Sequence, residues 1–192
     1  MQTDKNQLET KLQELRQSTS EHVQELKKTL VNLRAQQTSY ISFFTYSLNI
    51  THHLQSDNIC LASYHIQNTG DYPITNPEIT LKLTEDSPFF LYGKYVNPGS
   101  PVPPKLKDGW ERLNDPTNKK EFRLKPIGNT VIQPGETITF TNFQITWHPA
   151  EDYSASVTGW TVSDQTPGGQ AALNAINISG ALSIESKEEY YE

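Results

Sequence analysis

The first 37 residues contain no glycine, proline, phenylalanine, tyrosine or tryptophan. A segment without turn formers or aromatics, and rich in Leu, Gln, Glu and Lys, has the vocabulary of a helix but lacks the bulk of a core. From Tyr40 onward the composition inverts to aromatics, Thr, Ile, Gly and Pro, the residues of strands and turns. The chain therefore divides near Thr38 into a helical segment, 1–37, and a β segment, 38–186, with the charged residues 187–192 as a flexible tail.

Within the helical segment an apolar row runs through Leu8, Leu12, Leu15, Val23, Leu26, Leu30 and Leu33. Their steps alternate between three and four. Placing Thr19 in the row splits the one long step, a stutter between heptad stretches, and the row runs on through Gln37 to Tyr40. About two positions in seven are apolar, which is the seam of a coiled coil rather than the broader stripe of a helix lying on a core. Glu9, Lys11, Glu14, Arg16, Glu21, Glu25, Lys27, Lys28 and Arg34 cover the other faces. A bare leucine row in water demands company, and the narrow seam predicts another copy of the same helix, hence a homo-oligomer. A helix folded back on its own domain is the competing reading. The seam lacks the Ile/Leu alternation that specifies dimers, so the number of copies stays open. His22 beside its middle would add a pH dependence.

From Tyr40 the apolar period falls to two, the mark of half-buried strands. Phe44, Tyr46, Leu48 and Ile50 share one face of 40–50, and Cys60, Ala62, Tyr64 and Ile66 share one face of 59–66. Asn68-Thr69-Gly70-Asp71 is a turn by composition. Ile79 to Leu83 alternates, with Thr80 and Lys82 toward solvent, and the aromatic run Phe89 to Val96 predicts one more strand. The proline-rich stretch Asn97 to Asn118 predicts a long loop, followed by a short strand from Glu121 to Lys125. Gln133-Pro134-Gly135-Glu136 has Pro and Gly where a type II turn wants them. After it, Ile138 and Phe140 alternate in one register, and Phe143, Ile145 and Trp147 in the other. Side chains change face at every residue, so keeping all five on the core side requires a β-bulge at Thr141-Asn142. Ala155 to Val162 around Trp160 is a strand, Asp164 to Gln170 an exposed loop, and Ile176, Ile178, Leu182 and Ile184 a closing strand. About eight strands without intervening helices exclude a parallel βαβ sheet. The expected fold is mainly β: an antiparallel β-sandwich, immunoglobulin-like or jelly-roll, preceded by an N-terminal α-helical coiled coil.

The balance of charge narrows function. With 22 acidic against 16 basic side chains and a net charge of −6, the chain lacks the basic surface of a nucleic-acid binder. No run approaches the roughly 18 apolar residues of a membrane span. The opening residues have neither the basic nor the apolar region of a secretion leader. Assembly in the cytoplasm is therefore expected, with a surface, spore-layer or phage-particle destination open. A single cysteine, Cys60, excludes an internal disulfide and a cysteine-built zinc cage.

The residues Asn68-Thr69-Gly70, then Ile74-Thr75-Asn76-Pro77-Glu78-Ile79-Thr80-Leu81, then Ile132-Gln133-Pro134-Gly135-Glu136-Thr137-Ile138-Thr139-Phe140 form a recognisable series. It resembles the bacterial cell-surface immunoglobulin-like modules of the CARDB-like and FxLYD-like families, which read N-x-G, I-x-N-P and L-x-P-G-E-x-x-x-F in that order. The resemblance implies a non-catalytic adhesion, spacer or binding module, and carries no shared functional residues with it. Against those families the chain is expected to lack a signal peptide, and it carries a proline-rich insertion.

A search for converging catalytic groups returns little. His52 and His53 are adjacent, so on a strand they point to opposite faces; with Asp57 they suit a solvated strand end better than a metal grip. His148 near Glu151 and Asp152 reads as a turn, His65 as a surface residue, and Cys60 as a small apolar filler. Glu85-Asp86 suits a solvated turn, and no phosphate loop accompanies Gly168-Gly169. Asn49-Ile50-Thr51 and Asn177-Ile178-Ser179 match the glycosylation pattern by chance. The expectation is a non-enzyme with no cofactor and no resident metal. The better functional lead is aromatic. Trp110, in the proline-rich stretch, with Tyr92 and Tyr95 just before it, makes a candidate surface for a protein or carbohydrate ligand. The plain alternative is that Trp110 plugs the loop onto the sandwich.

Overall fold

The structure, a computed structural model, describes residues 2–36, 39–51, 57–100, 109–128, 130–148 and 150–181, with the helix side chains described over 11–29. It divides into two compact units, 1–37 and 38–192. The first is a single helix, α1 (Gln2–Gln36). Its hydroxyl residues bond back to the preceding turn: Thr19 donates to the Leu15 carbonyl and Thr29 to that of Glu25.

The second unit is mainly β. Its strands are β1 (Tyr40–Asn49), β2 (Asn58–Asn68), β3 (Ile74–Thr75), β4 (Glu78–Leu83), β5 (Phe90–Tyr92), β6 (Tyr95–Val96), β7 (Trp110–Arg112), β8 (Glu121–Pro126), β9 (Val131–Ile132), β10 (Thr137–Trp147), β11 (Tyr153–Ser163), β12 (Thr166–Ala171) and β13 (Ile176–Gly180). One sheet runs β1-β2-β10-β5. The other runs β12-β11-β4-β8-β7-β6, with β13 sharing the outer side of β11 with β12. β3 and β9 form a separate pair. Among the described residues every pairing is antiparallel except β6 with β7. The inward faces of both large sheets supply one continuous core, so the unit is a β-sandwich-like fold.

The core is aromatic. Phe140 and Phe143 stack at 5.4 Å, Phe44 meets Tyr64 edge-to-face at 4.8 Å, and Trp147 lies between Phe89 and Tyr153. Buried hydroxyls tie the layers: Tyr40 Oη donates to the Thr161 carbonyl at 2.8 Å, and Tyr64 Oη meets Thr161 Oγ1 at 2.8 Å. Gly159 lies under these rings, and a Cβ there would strike the rings of Tyr64 and Phe44. At the edge of β1, Asn174 closes both backbone groups of one residue. Its Oδ1 accepts from Phe44 N at 2.8 Å and its Nδ2 donates to Phe44 O at 3.0 Å.

The turn residues converge at one end. Gly135 has φ +80° and Glu136 N donates to Gln133 O, the geometry of a type II turn. Asn68, fully buried, binds that turn to its own: its backbone exchanges hydrogen bonds with Gly135 N and Glu136 O. Its Nδ2 donates to Tyr72 O and Ile132 O, and its Oδ1 accepts from Gly70 N. The register of β10 on β2 shifts between Phe140 and Phe143, with Asn142 at φ +53°, so the bulge stands where the parity change requires it.

Four local expectations need correction, and a fifth reaches past the described residues. Phe44 is buried, but Tyr46 and Leu48 on the same face are 42% and 44% exposed, since the described core does not extend over the second half of β1. Phe89 to Val96 is two short strands in different sheets, because the chain crosses between layers at Gly93, where a Cβ would press on Phe140. The expected loop from Asn97 to Asn118 contains β7, held between β6 and β8. Asp164 to Gln170 is mostly β12, paired back on β11. The described closing strand ends at Gly180, and Leu182 and Ile184 lie outside the described residues.

Candidate functional site

Two features of the molecule could meet a partner. The first is the leucine row of α1. Leu12, Leu15, Val23 and Leu26 are 48%, 65%, 44% and 62% exposed. Steps of three, eight and three keep them on one side of a 3.6-residue helix, so their exposed surfaces form a stripe. Thr19, in the middle of that row, spends its hydroxyl on the Leu15 carbonyl, and His22 Nδ1 lies 2.8 Å from the Ser18 carbonyl. Both polar side chains are thereby turned into the helix's own backbone. The side chains of Leu8, Leu30 and Leu33 lie outside those described.

The second is a cleft of about 290 Å³ where the two sheets end on the same side. β5 is the edge strand of one sheet and β6 of the other, and Gly93-Lys94 joins them. Phe90, Leu91 and Tyr92 line the cleft from β5, Tyr95 from β6, Arg112 from β7, Phe122 from β8 and Lys119 from the turn before β8. Phe90 and Tyr92 are 52% and 59% exposed. Tyr95 is half-buried and meets Phe122 edge-to-face at 6.1 Å.

Arg112 is the unusual member. It is 2% exposed, and its guanidinium carbon sits 4.4 Å from the Phe122 ring centre and 5.9 Å from that of Tyr95. Nε donates to Asn114 Oδ1 at 3.1 Å; Nη2 donates to the Asn118 carbonyl and, at 3.0 Å, to that of Glu121. The residue thus staples the 114–121 turn to β7. Sequence reading passed over it, since arginine is ordinarily an exposed residue and its ring partners lie elsewhere in the chain. The signal that could have found it is the pattern Trp110-Glu111-Arg112, in which Arg112 shares the inward face with Trp110.

The structure separates the three expected aromatics. Tyr92 and Tyr95 share the cleft. Trp110 is 5% exposed; its indole Nε1 donates to the Thr139 carbonyl at 3.3 Å and its ring meets Phe140 at 5.6 Å, which bridges the two sheets. It lines a different, smaller hollow of about 220 Å³ beside Gly109, Pro126 and Ile138. Trp110 is therefore a structural plug, because β7 turns it inward.

The histidines and the cysteine have local explanations. His65, half-buried on the outer face of β2, stacks on Phe43 at 4.9 Å and bridges Thr45 Oγ1 and Thr139 Oγ1. Burial lowers its pKa from the ordinary 6.5. His148 Nε2 lies in hydrogen-bond contact with the Asp57 carboxylate. His52 and His53 lie outside the described residues. Cys60 is buried, and burial pushes its thiol up to about 11, which keeps it protonated and unreactive at neutral pH. Among the described residues, no three His, Cys, Asp or Glu side chains gather as a metal site would require. No described helix is long and apolar enough to cross a membrane.

No protein-family model and no curated protein matches the chain. Solved structures share its outline distantly. AvmM, which catalyses macrocyclisation in alchivemycin A biosynthesis, aligns at 11% identity and a TM-score of 0.38, covering 80% of this chain and 94% of its own. A cohesin module from a Clostridium perfringens family 33 glycoside hydrolase aligns at 11% identity and a TM-score of 0.37, covering 75% and 98%. Likenesses this remote carry no argument about activity.

Proposed function

We propose that the chain is a non-enzymatic structural and interaction protein whose N-terminal helix joins copies of itself as a coiled coil, each copy presenting a β-sandwich head. A surface layer, a spore layer or a phage appendage would suit such a molecule. The observation that carries this reading is the exposed row Leu12, Leu15, Val23 and Leu26, at heptad-like spacing on a 35-residue helix. Apolar area left in water costs about 25 cal/mol per Å², and packing against identical helices removes that cost. The convergence of Asn68 with the Gln133–Glu136 turn supports an immunoglobulin-like head akin to the CARDB-like and FxLYD-like modules.

Sedimentation equilibrium of the full chain tests it. The wild type is expected as a multimer. The Leu15→Glu, Leu26→Glu double variant is expected as a single copy whose head unfolds at the wild-type denaturant midpoint. A wild type that stays a single copy at every reachable concentration ends the reading. A second reading, of the head as a binding module docked by its helix to a larger assembly, draws support from the aromatic cleft between β5 and β6.

A further inference from the structure

We propose that the cleft between β5 and β6 binds an acidic pyranose, a hexuronate residue, with Arg112 receiving its carboxylate. The proposal rests on the reading of the head as a binding module and is independent of assembly through the helix.

Charge points to the anion. The chain carries a net −6, yet both charged side chains lining this cleft, Arg112 and Lys119, are cationic. Arg112 is buried without an ion pair among the described residues. Its three hydrogen bonds run to neutral acceptors, two backbone carbonyls and an amide oxygen, and Nη1 has no acceptor among the described residues. Asp115 feels its charge, but the Asp115 carboxylate is held at Oδ1 by Thr117 N and Thr117 Oγ1. A buried guanidinium offset by dipoles and ring faces alone is an incomplete arrangement, and a planar carboxylate is the group that fits its fork.

Size and lining point to a sugar. At about 290 Å³ the cleft stands at the small end of ligand pockets, which run from about 300 to 1,000 Å³, so it accommodates one ring. Phe90, Tyr92 and Tyr95 offer aromatic surface for the apolar C–H face of a pyranose, while its carboxylate turns toward Arg112 and Lys119. An added peptide strand is disfavoured, since β5 presents only three residues of edge before the chain leaves the sheet at Gly93.

Calorimetric titration of the full chain with an oligogalacturonide, the neutral oligogalactoside of equal length and a Glu-rich peptide separates the outcomes. The uronate is expected to bind, more weakly as salt rises. The neutral sugar should bind at least about tenfold more weakly, the scale of one lost charge-assisted contact. Arg112→Lys keeps the charge but loses the fork, and should reduce affinity. Where that variant fails to fold, Tyr92→Ala with Lys119→Gln, both at exposed positions, carries the test with the same expected loss. Equal binding of the neutral sugar, or binding of the peptide alone, overturns the uronate assignment and leaves the module reading standing. Binding of none of the three overturns both.

Discussion

His65 is the residue whose charge state bears most directly on the head. Its ring stacks on Phe43 and both its nitrogens meet threonine hydroxyls, and burial depresses its pKa below 6.5. The unfolded chain therefore takes up the proton first as pH falls. The stabilising contribution is complete above about pH 6.5 and is lost as pH drops through the depressed value. Urea unfolding of wild type and His65→Gln between pH 7.5 and 5 checks this: the wild type should lose more stability on acidification than the variant does. From its parity His65 is legible as a residue turned away from the core. Its stack on Phe43 and its two threonine partners are not, because those contacts come from the strands on either side. Arg112 was invisible for the same reason on a larger scale, since its ring partners come from β6 and β8.

Among the elements, β10 repays closest attention. Two residues, Thr141 and Asn142, stand opposite the single residue Ser63, and Asn142 takes the left-handed backbone conformation at φ +53°, its N–H donating to Ser63 Oγ at 3.1 Å. A β-branched residue there meets its own carbonyl, which costs roughly 1–2 kcal/mol, while glycine adopts the conformation freely. Asn142→Val should therefore lower the head's unfolding free energy by about that amount, and Asn142→Gly should change it by about 0.5 kcal/mol or less; denaturant titration reads both. This bulge was readable because a change in parity leaves no other way to keep five apolar residues inside. The type II turn was readable because Pro and Gly fix its dihedrals. β7 was not. Three residues between proline-rich flanks carry no periodicity of their own, and only pairing with β6 and β8 makes them a strand. Likewise nothing in Phe90 to Val96 says that the run changes sheets, since both short strands prefer the same residue types.

At the scale of the whole molecule, the two units answer to different physics. The head is closed by its own core, whereas the helix is held by company in the proposed assembly. All three tryptophans, Trp110, Trp147 and Trp160, are in the head, so fluorescence reports that unit alone. Diluting the protein should lower the temperature at which the helical far-ultraviolet signal melts and leave the tryptophan transition where it was. The division near Thr38 was legible because glycine, proline and aromatics are all missing on one side of it; the number of copies was not, since the seam lacks the Ile/Leu alternation that would specify it and carries Thr19 at its middle. In the proposed assembly, several sandwiches on one stalk would carry a hazard, because tethered copies would meet at effective concentrations in the millimolar range. Bare sheet margins at that density are templates for fibre growth. Asn174 addresses the hazard at β1: an amide that already occupies the donor and the acceptor of Phe44 denies both to a neighbouring copy. In that assembly one side chain would thus act as a gatekeeper, steering aggregation away from a margin that crowding would otherwise recruit.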